Sequence, residues 1–445
     1  MDGYYAFMLI ATAFVLMMTV PALALFYGGM SRSKSVLNMI MMSFVAVALV
    51  GIAYVAIGWS MGWSGDGTFF ADPFALFFLD GVTTDSYIGV MFQMTFAIIT
   101  AALISGAVAD RMKFSAWVVF VPVWSILVYF PLAHMVFSCT PDSLICGRIG
   151  AQDYAGGTAV HINAGVAALV LALVLGKRVG WPKDKMRPHN LTLTMLGAGM
   201  LWLGWYGFNV GSIVFADGVY SDEQFFAETG RTFANTTLAT MAAILGWLII
   251  ERILHGKATS LGAASGIVAG LVAITPAAGA VDIEGAIAIG AIAGAVCAWA
   301  VGLKFKFGLD DSLDVVGVHL VGGIVGTVLI GVFSTAEGAG GVDGLLYGGG
   351  LGSLGDQALG ALVAILYSGI LTTVIALAIK FTMGLRIDED DEVGGIDLAQ
   401  HGESAYDLHT ASFAGAPSTG VLAKSTAPPV APGTGSSSDK EGASA

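Results

Sequence analysis

Two ten-residue stretches decide the fold of this chain: GTAVHINAGV at positions 157–166 and VVGVHLVGGI at positions 315–324. Three pairs of identical residues register when the stretches are aligned: Val160 with Val318, His161 with His319, and Gly165 with Gly323. Each stretch lies in the last of five consecutive apolar segments, so the sequence predicts a five-helix unit that occurs twice. Because five is odd, the second copy enters the membrane from the opposite face, which is the inverted-repeat architecture of many transporters.

The composition predicts an all-α polytopic membrane protein. Of the 445 residues, 56% are hydrophobic and only 11% are charged, whereas a soluble domain carries about 25% charged residues. Eleven stretches without Asp, Glu, Lys or Arg are each long enough to cross a bilayer. Lipid leaves the backbone only helices or a closed barrel, and runs this long without polar alternation predict helices. They cover residues 5–30, 37–61, 87–109, 114–137, 154–176, 191–211, 232–250, 258–280, 285–303, 315–333 and 357–379. The eleventh stands outside the repeat.

Lysine and arginine predict the orientation, because cytoplasmic loops are enriched in them. All but two of the 19 Lys and Arg residues fall on one side of the eleven stretches, and only Arg148 and Arg231 fall on the other. The sequence therefore predicts a protein of the cytoplasmic membrane with an external N-terminus and a cytoplasmic C-terminus. The acidic residues of the outer loops either attract small cations or simply keep those loops solvated.

Three regions follow from this pattern. Residues 1–382 form the predicted transmembrane domain, with repeat halves at about 5–176 and 191–333 and the extra helix at about 357–382. Residues 383–413 carry some apolar and aromatic side chains and are predicted to fold against the cytoplasmic face. Residues 414–445 are rich in Pro, Gly, Ser, Thr and Ala and are predicted to be disordered.

Two histidines are the first candidates for chemistry, because an ionisable group inside a span is costly. His161 and His319 lie well inside predicted spans and occupy matching positions of the repeat. A neutral imidazole donates through one nitrogen and accepts through the other, so a pair can relay a proton. A purely structural role for each histidine is the alternative.

Three residues of the outer loop after the fourth span each have two interpretations. Asp153 either caps the N-terminus of the fifth helix, which we favour, or coordinates a cation. Cys139 and Cys146 either form a disulfide, which an external compartment permits, or remain free thiols.

Aromatic residues supply a further candidate group. Phe92 and Phe96 are four residues apart on one helix face, and Trp205 and Phe208 precede Ser212. Aromatic faces attract a desolvated cation by ~1–2 kcal/mol each, although ordinary helix packing explains the same pattern.

The sequence carries no Walker A motif and no TVGYG filter, which argues against an ATP-driven pump and a potassium channel. Nothing in it predicts an enzyme, a metal site, a cofactor or a nucleic-acid partner.

At these residues the sequence resembles the ammonium transporter family (Amt/Mep/Rh), and closely its bacterial Amt branch. The resemblance runs to about residue 407 and rests on six segments: ALFYGG at 24–29, DYAGGT at 153–158, VHIN at 160–163, GFNVGS at 207–212, DVVGVH at 314–319 and HGESAY at 401–406. It implies an eleven-helix homotrimer in the cell membrane with one pore through each subunit. It also implies ammonium as the substrate and, through the tail, binding of a P-II-type signalling protein at the cytoplasmic face.

The resemblance further implies roles for particular residues. It gives an outer recruitment site with Phe92, Ser212 and the nearby carboxylate Asp153; a pore-wall tryptophan, Trp205; a gate of stacked rings, Phe96 and Phe208; and a hydrogen-bonded pair, His161 and His319. One departure concerns the outer site, where the family's tryptophan is replaced by Phe137. Because phenyl is a weaker cation–π partner than indole, the sequence predicts weaker recruitment.

Ammonium and potassium have similar size and equal charge, so selectivity must use the N–H donors and the removable proton of ammonium. The hypothesis is that ammonium loses its proton near the gate and that neutral ammonia crosses an apolar lumen past the histidines, which relay the proton. An ammonium sensor that signals through its cytoplasmic tail is the alternative. A generic channel for neutral solutes is a third hypothesis.

Overall fold

Eleven long helices build the protein in this computed structural model, which describes residues 2–184, 186–213 and 221–406. Nine of the eleven, within those ranges, are long and apolar enough to cross a membrane. The other two helices are Leu191–Val210 and Ser260–Ile274. The helices are α1 Gly3–Met30, α2 Val36–Trp63, α3 Thr84–Val108, α4 Phe114–Phe137, α5 Gly157–Leu175, α6 Leu191–Val210, α7 Asp222–His255, α8 Ser260–Ile274, α9 Ile283–Phe307, α10 Val316–Phe333 and α11 Gly352–Thr382. The predicted all-α fold with eleven helices is therefore confirmed.

The bounds of α8 differ from the prediction. The helix ends at Ile274, and turns follow as far as Ala280, so the predicted span of 258–280 is wrong at its C-terminal end. Pro276 has no N–H to continue the helical ladder. The residues of this turn are nevertheless apolar and buried. Their burial is tolerated because the Asn235 side chain donates to the carbonyls of Ala278 and Val281 at 2.9 and 2.8 Å. Hydropathy therefore does not reveal where this helix ends.

Helices α5 and α10 pack against each other in antiparallel directions. The side chain of Thr158, near the start of α5, lies 3.4 Å from that of Thr327, deep in α10. At the crossing, a Cβ at Gly165 would lie 2.5 Å from the Leu320 nitrogen, and a Cβ at Gly323 would lie 3.1 Å from the Ile162 nitrogen. Later residues of α5 thus meet earlier residues of α10. The two glycines, which occupy matching repeat positions, let the backbones approach closely.

Helix α1 is interrupted at Val20, whose φ of −134° and ψ of 114° lie outside the helical region. Pro21 follows and removes one backbone donor from the helix. Beyond the break, the helix resumes and places Leu23 and Phe26 beside the two repeated helices at the centre of the molecule.

On the N-terminal face, which we define as the face where α1 begins, a disulfide closes part of the loop between α4 and α5. It joins Cys139 and Cys146 with an S–S distance of 2.01 Å. Residues Leu144–Ile149 form a helical turn inside this loop. The Leu144 N–H donates to the carbonyl of Thr68 at 3.1 Å, so the loop is tied to the segment after α2.

On the opposite, C-terminal face, buried ion pairs connect the loops between helices. The Arg178 guanidinium contacts Asp110 at 3.1 Å and Asp310 at 2.8 Å, and all three side chains are nearly fully buried. Arg32 also pairs with Asp110, at 3.1 Å. Buried charges are tolerated when they are paired in this way, whereas removal of one partner leaves an uncompensated charge.

The segment after α11 packs on the same face, and a short helix, α12 (Glu389–Gly394), lies within it. The Asp397 carboxylate accepts from the first free N–H groups of α2, those of Leu37 and Asn38, at 3.0 and 2.8 Å. The Glu392 carboxylate accepts from the Val179 N–H at 2.7 Å. The segment is thus held against the loops of the C-terminal face by these contacts, while residues 407–445, including the tail predicted to be disordered, lie outside the described residues.

Candidate pore

A row of neighbouring aromatic rings leads from the N-terminal face towards the centre of the molecule. Phe92 and Phe96 lie on one face of α3 with ring centroids 4.9 Å apart. Phe96 stacks on Phe208 of α6, with centroids 4.0 Å apart and an interplanar angle of 17°. Phe96 and Phe208 are almost fully buried, so this ring pair is shielded from bulk water.

The two histidines, His161 and His319, lie beyond this ring pair, and the ring centroids of His161 and Phe208 are 6.2 Å apart. His161 Nδ1 lies 3.3 Å from His319 Nδ1, and the imidazole centroids are 5.3 Å apart. Only one of the facing nitrogens can donate, so the contact requires one donor and one acceptor ring. Both side chains are buried, and His161 Nε2 has no hydrogen-bond partner among the described residues. The pair therefore keeps one polar atom available to a small molecule in the pore.

Trp205 fixes the orientation of this pair from the side. Its ring stacks on His161, with centroids 5.5 Å apart. Its Nε1 donates to Thr275 Oγ1 at 2.8 Å, and that hydroxyl donates to the Leu271 carbonyl at 2.7 Å. The sequence analysis missed Thr275, because a threonine at the end of an apolar helix carries no signal of its own.

Two adjoining cavities lie beside the histidines. Both are narrow, with a volume of about 10 Å³ each: the first surrounds the histidines, and the second lies on the side of the C-terminal face. Phe26, Val268 and His319 line both cavities. Apart from the histidines, only apolar and aromatic side chains line the first cavity, whereas Ser265 and Asp314 reach the second. A neutral solute therefore meets few polar groups at the centre and more towards the C-terminal face.

Asp153 caps the start of α5. Its two carboxylate oxygens accept from four backbone N–H groups, those of residues 156–159, at 2.7 to 3.2 Å. Burial raises the pKa of Asp153 above its ordinary value, while the four N–H groups act in the opposite direction. The carboxylate thus lies against the helix N-terminus, as the favoured interpretation of the sequence has it, and holds the segment that carries His161.

Asp311 repeats this arrangement for α10. It precedes His319 by eight residues, as Asp153 precedes His161, and its oxygens accept from Val315 N–H at 3.1 Å and Val316 N–H at 2.7 Å. Burial, with the charge of Asp314, raises the pKa of Asp311 to about 6. Sequence analysis missed Asp311, although extending the repeat alignment by four residues towards the N-terminus would have found it.

Replacement of each carboxylate by alanine tests this arrangement. Asp153→Ala is expected to lower the free energy of unfolding by about 1–2 kcal/mol, since a helix cap contributes roughly 0.5–2 kcal/mol. Asp311→Ala is expected to cost less, because it loses two N–H contacts rather than four. Thermal unfolding in detergent measures both, with Glu223→Ala, an exposed acid in the first turn of α7, as the control. Equal melting temperatures for all three variants would contradict the capping role.

The remaining predicted residues lie around the N-terminal end of the row. A Cβ at Gly211 would lie 2.8 Å from Phe92 Cε2, so the turn that carries Ser212 packs against Phe92. The Ser212 hydroxyl donates to the Phe208 carbonyl at 2.8 Å, which leaves its oxygen free to accept from a further donor. Phe137, at the end of α4, lies 3.7 Å from the Cβ position of Gly156, which is one of the residues that bind Asp153.

Comparisons with known proteins agree on one family. The profile of the Ammonium Transporter Family matches residues 6–406. An ammonium transporter of Mycobacterium tuberculosis is 53% identical over 445 residues, covering 92% of this chain and 91% of that protein. The structure of Saccharomyces cerevisiae Mep2 superposes with a TM-score of 0.79 at 32% identity, covering 92% of each chain. A structure titled Sensor Amt Protein superposes with a TM-score of 0.81 at 27% identity, covering 89% of this chain and 98% of that one.

Proposed function

Because this chain belongs to the ammonium transporter family and crosses the membrane many times, we propose that it moves ammonium by splitting the ion. In this proposal, ammonium binds at the N-terminal face and loses its proton near the rings of Phe96 and Phe208. Neutral ammonia then passes the histidines, which relay the proton separately. Residues 1–382 carry this transport function, and the N-terminal face is the outer face of the cell membrane.

The buried contact between His161 and His319 carries this proposal. The cavity around it is otherwise apolar and aromatic, so a bare cation there would lose its hydration without gaining equivalent ligands. The penalty for a charge in a membrane interior is several kcal/mol. A neutral molecule avoids that penalty, and the facing nitrogens of the pair supply one donor and one acceptor for a proton to pass between them.

Recruitment is proposed at the N-terminal end of the row. Phe92 offers a ring face to the cation, Ser212 offers an acceptor oxygen for an N–H group, and Phe137 completes the aromatic lining. Asp153 acts on this site through the backbone of residues 156–159 rather than by direct coordination, because its oxygens are occupied. With phenylalanine at position 137, the aromatic contribution to binding is smaller than an indole would give.

The test compares ammonium and potassium in proteoliposomes that contain the purified protein. We expect ammonium to evoke a current and potassium at the same concentration to evoke at most about a tenth of it. Protein-free liposomes are the control for leakage. Equal currents for the two ions would refute selectivity by deprotonation, and ammonia flux without any current would favour the channel for neutral solutes.

The alternative function, an ammonium sensor, is favoured by one observation: the segment after α11 contacts loops that adjoin the pore helices. Leu385 and Ile387 are buried there, and the Ile387 N–H donates to the Arg111 carbonyl at 3.1 Å. A homotrimer that presents three such segments to a trimeric P-II-type protein at the cytoplasmic face is part of this proposal. Ammonium flux through the purified protein separates the two, since a sensor does not need to conduct.

A further inference from the structure

His134, in the last turn of α4, is a buried histidine that lines neither pore cavity. Its Nδ1 lies 2.9 Å from the carbonyl oxygen of Gly62, close to the end of α2. Its Nε2 lies 2.8 Å from the carbonyl oxygen of Gly67, in the loop that joins α2 to α3. Each ring nitrogen therefore faces a backbone carbonyl at hydrogen-bond distance.

These two partners decide which form of the ring satisfies both contacts. A carbonyl oxygen only accepts hydrogen bonds, so each nitrogen of His134 must donate. A neutral imidazole has one N–H group and would turn the lone pair of its other nitrogen towards an oxygen, whereas an imidazolium ion donates from both nitrogens. The end of α4 also favours a cation, because the free carbonyls of a helix C-terminus carry partial negative charge. The surroundings of His134 therefore fit the protonated ring.

No counter-ion contacts this ring in the part of the chain that the structure describes. The charged groups on the elements around the end of α4 are Asp66, Asp72, Asp142, Arg148, Asp153 and Asp356. The other titratable side chains there are Tyr54, Tyr129, His161 and Tyr367. The only hydrogen bonds of the His134 ring among the described residues are those to the two carbonyls. Arg148 pairs with Asp142 at 3.0 Å, and Asp153 accepts from the N–H groups of α5. The proton of His134 is therefore linked to two backbone carbonyls rather than to an ion pair.

The contacts of His134 hold the loop after α2 against the end of α4. A Cβ at Gly67 would lie 2.1 Å from the carbonyl oxygen of Phe70, so this part of the loop is a tight turn that a side chain would disturb. The next residue, Thr68, accepts from the Leu144 N–H at 3.1 Å. The same short segment thus contacts both α4 and the loop between α4 and α5. Phe137 lies three residues after His134, about one helical turn further along α4.

We propose that His134 is a proton-dependent clamp and a positioning residue for the N-terminal end of the pore. With both nitrogens protonated, the ring binds the carbonyls of Gly62 and Gly67 and fixes the loop to the helix end that carries Phe137. When the ring gives one proton to water, one of the two contacts is lost and the loop is released from α4. The clamp itself depends only on the fold, whereas its effect on ammonium recruitment rests on the proposed function.

Thermal unfolding of the purified protein in detergent, at about pH 5.5 and about pH 8.5, tests the clamp without reference to transport. His134→Gln supplies one amide nitrogen as donor at every pH and cannot reach both carbonyls. We expect it to melt about 2–4 °C below the unmodified protein at the lower pH and at nearly the same temperature at the higher pH, since one charge-assisted hydrogen bond is lost. His255→Gln, an exposed histidine in the last turn of α7, is the matched control and should melt with the unmodified protein. A difference of equal size at both pH values would overturn the proposal.

Two alanine variants test the same contacts from the carbonyl side and leave His134 in place. Gly67→Ala must shift the Gly67 backbone, because its Cβ would lie 2.1 Å from an oxygen, whereas Gly62→Ala has no neighbour within 4 Å of its Cβ position. The change in melting temperature between the two pH values should therefore shrink by about 2–4 °C in Gly67→Ala and stay as in the unmodified protein in Gly62→Ala. Equal pH dependence in the two variants would overturn the proposal, even if His134→Gln did not fold.

The effect on recruitment is measured as the KM for the ammonium ion, from currents in proteoliposomes with the same pH on both sides. From the lower to the higher pH, the KM of the unmodified protein should rise about two- to fivefold relative to that of His134→Gln, which is the factor that one exposed cation–π contact contributes. His134→Gln has every other titratable group in common with the unmodified protein, so it corrects for their effects. An equal change of KM in both proteins would overturn the positioning role. Absence of any ammonium current in the unmodified protein would instead refute the proposed function, and the melting temperatures would still decide whether the clamp exists.

Discussion

Ammonium-evoked current should fall at least about tenfold when His161 and His319 are both replaced by leucine, and the remaining current should no longer favour ammonium over potassium. The facing nitrogens, 3.3 Å apart, are the polar atoms at the centre of an otherwise apolar cavity, so the double variant removes both the proton path and the polar contacts that a small amine could make. Because leucine is apolar and close in size to histidine, the fold should survive and the loss should lie in conduction. Current in proteoliposomes, with ammonium and then potassium, measures both properties.

Met18→Leu is the control for this experiment. Met18 lines the same cavity, and an exchange between methionine and leucine conserves volume and polarity, so its current should stay near that of the unmodified protein. A current in the double-histidine variant that equals the control and still excludes potassium would remove the proton relay from the mechanism.

The second large effect is expected at the crossing of α5 and α10. A valine at Gly165 would place its Cβ 2.5 Å from the Leu320 nitrogen and 2.6 Å from the Leu320 Cβ. Because Leu320 directly follows His319, a shift of the Leu320 backbone would displace this histidine. We therefore expect Gly165→Val to lower the free energy of unfolding by about 1–3 kcal/mol, as overpacking does. It should also abolish most of the ammonium current. Thermal unfolding and current on the same preparation separate the two losses.

Gly199→Val is the matched control, because Gly199 also lies inside a long helix but has no neighbour within 4 Å of its Cβ position. It exchanges the same residue for the same β-branched side chain, so it reports the helix propensity cost alone. If Gly165→Val and Gly199→Val lost equal stability and equal current, close packing at the crossing would not position the histidines.

The sequence predicts the large features of the fold because they depend on hydropathy and on the repeat. Eleven apolar stretches give eleven helices, and the aligned histidines and glycines give the inverted pair α5 and α10. The predicted bounds of a helix are wrong where hydrogen bonds, rather than hydropathy, determine where it begins or ends. Helix α7 begins at Asp222, about ten residues before its apolar stretch, because Ser221 and Gln224 form a capping box with reciprocal hydrogen bonds. The apolar composition of residues 275–280 hides the end of α8, which Pro276 follows, and the turn beyond it is held by hydrogen bonds from Asn235.

The candidate site was predictable where a residue type is unusual in its surroundings, and not elsewhere. Histidine inside a span is rare, so His161 and His319 were evident from the sequence, but their distance was not. Thr275 and Val268 resemble any other residue of an apolar helix, and only tertiary packing places them beside the pore. Asp311 lay within reach of the repeat alignment, since a carboxylate eight residues before each histidine serves the same purpose in both halves.

The position of Arg178 has a consequence for how the two halves are joined. This residue belongs to neither half, because it lies in the connecting peptide between α5 and α6, yet it bonds Asp110 of the first half and Asp310 of the second. The connecting peptide therefore stabilises the contact between the two halves in addition to linking them covalently. Without that peptide, the second half-length polypeptide would leave the buried Asp310 carboxylate without its guanidinium partner, while Asp110 of the first would keep Arg32 alone. A single continuous chain therefore supplies cohesion that separate halves would lack.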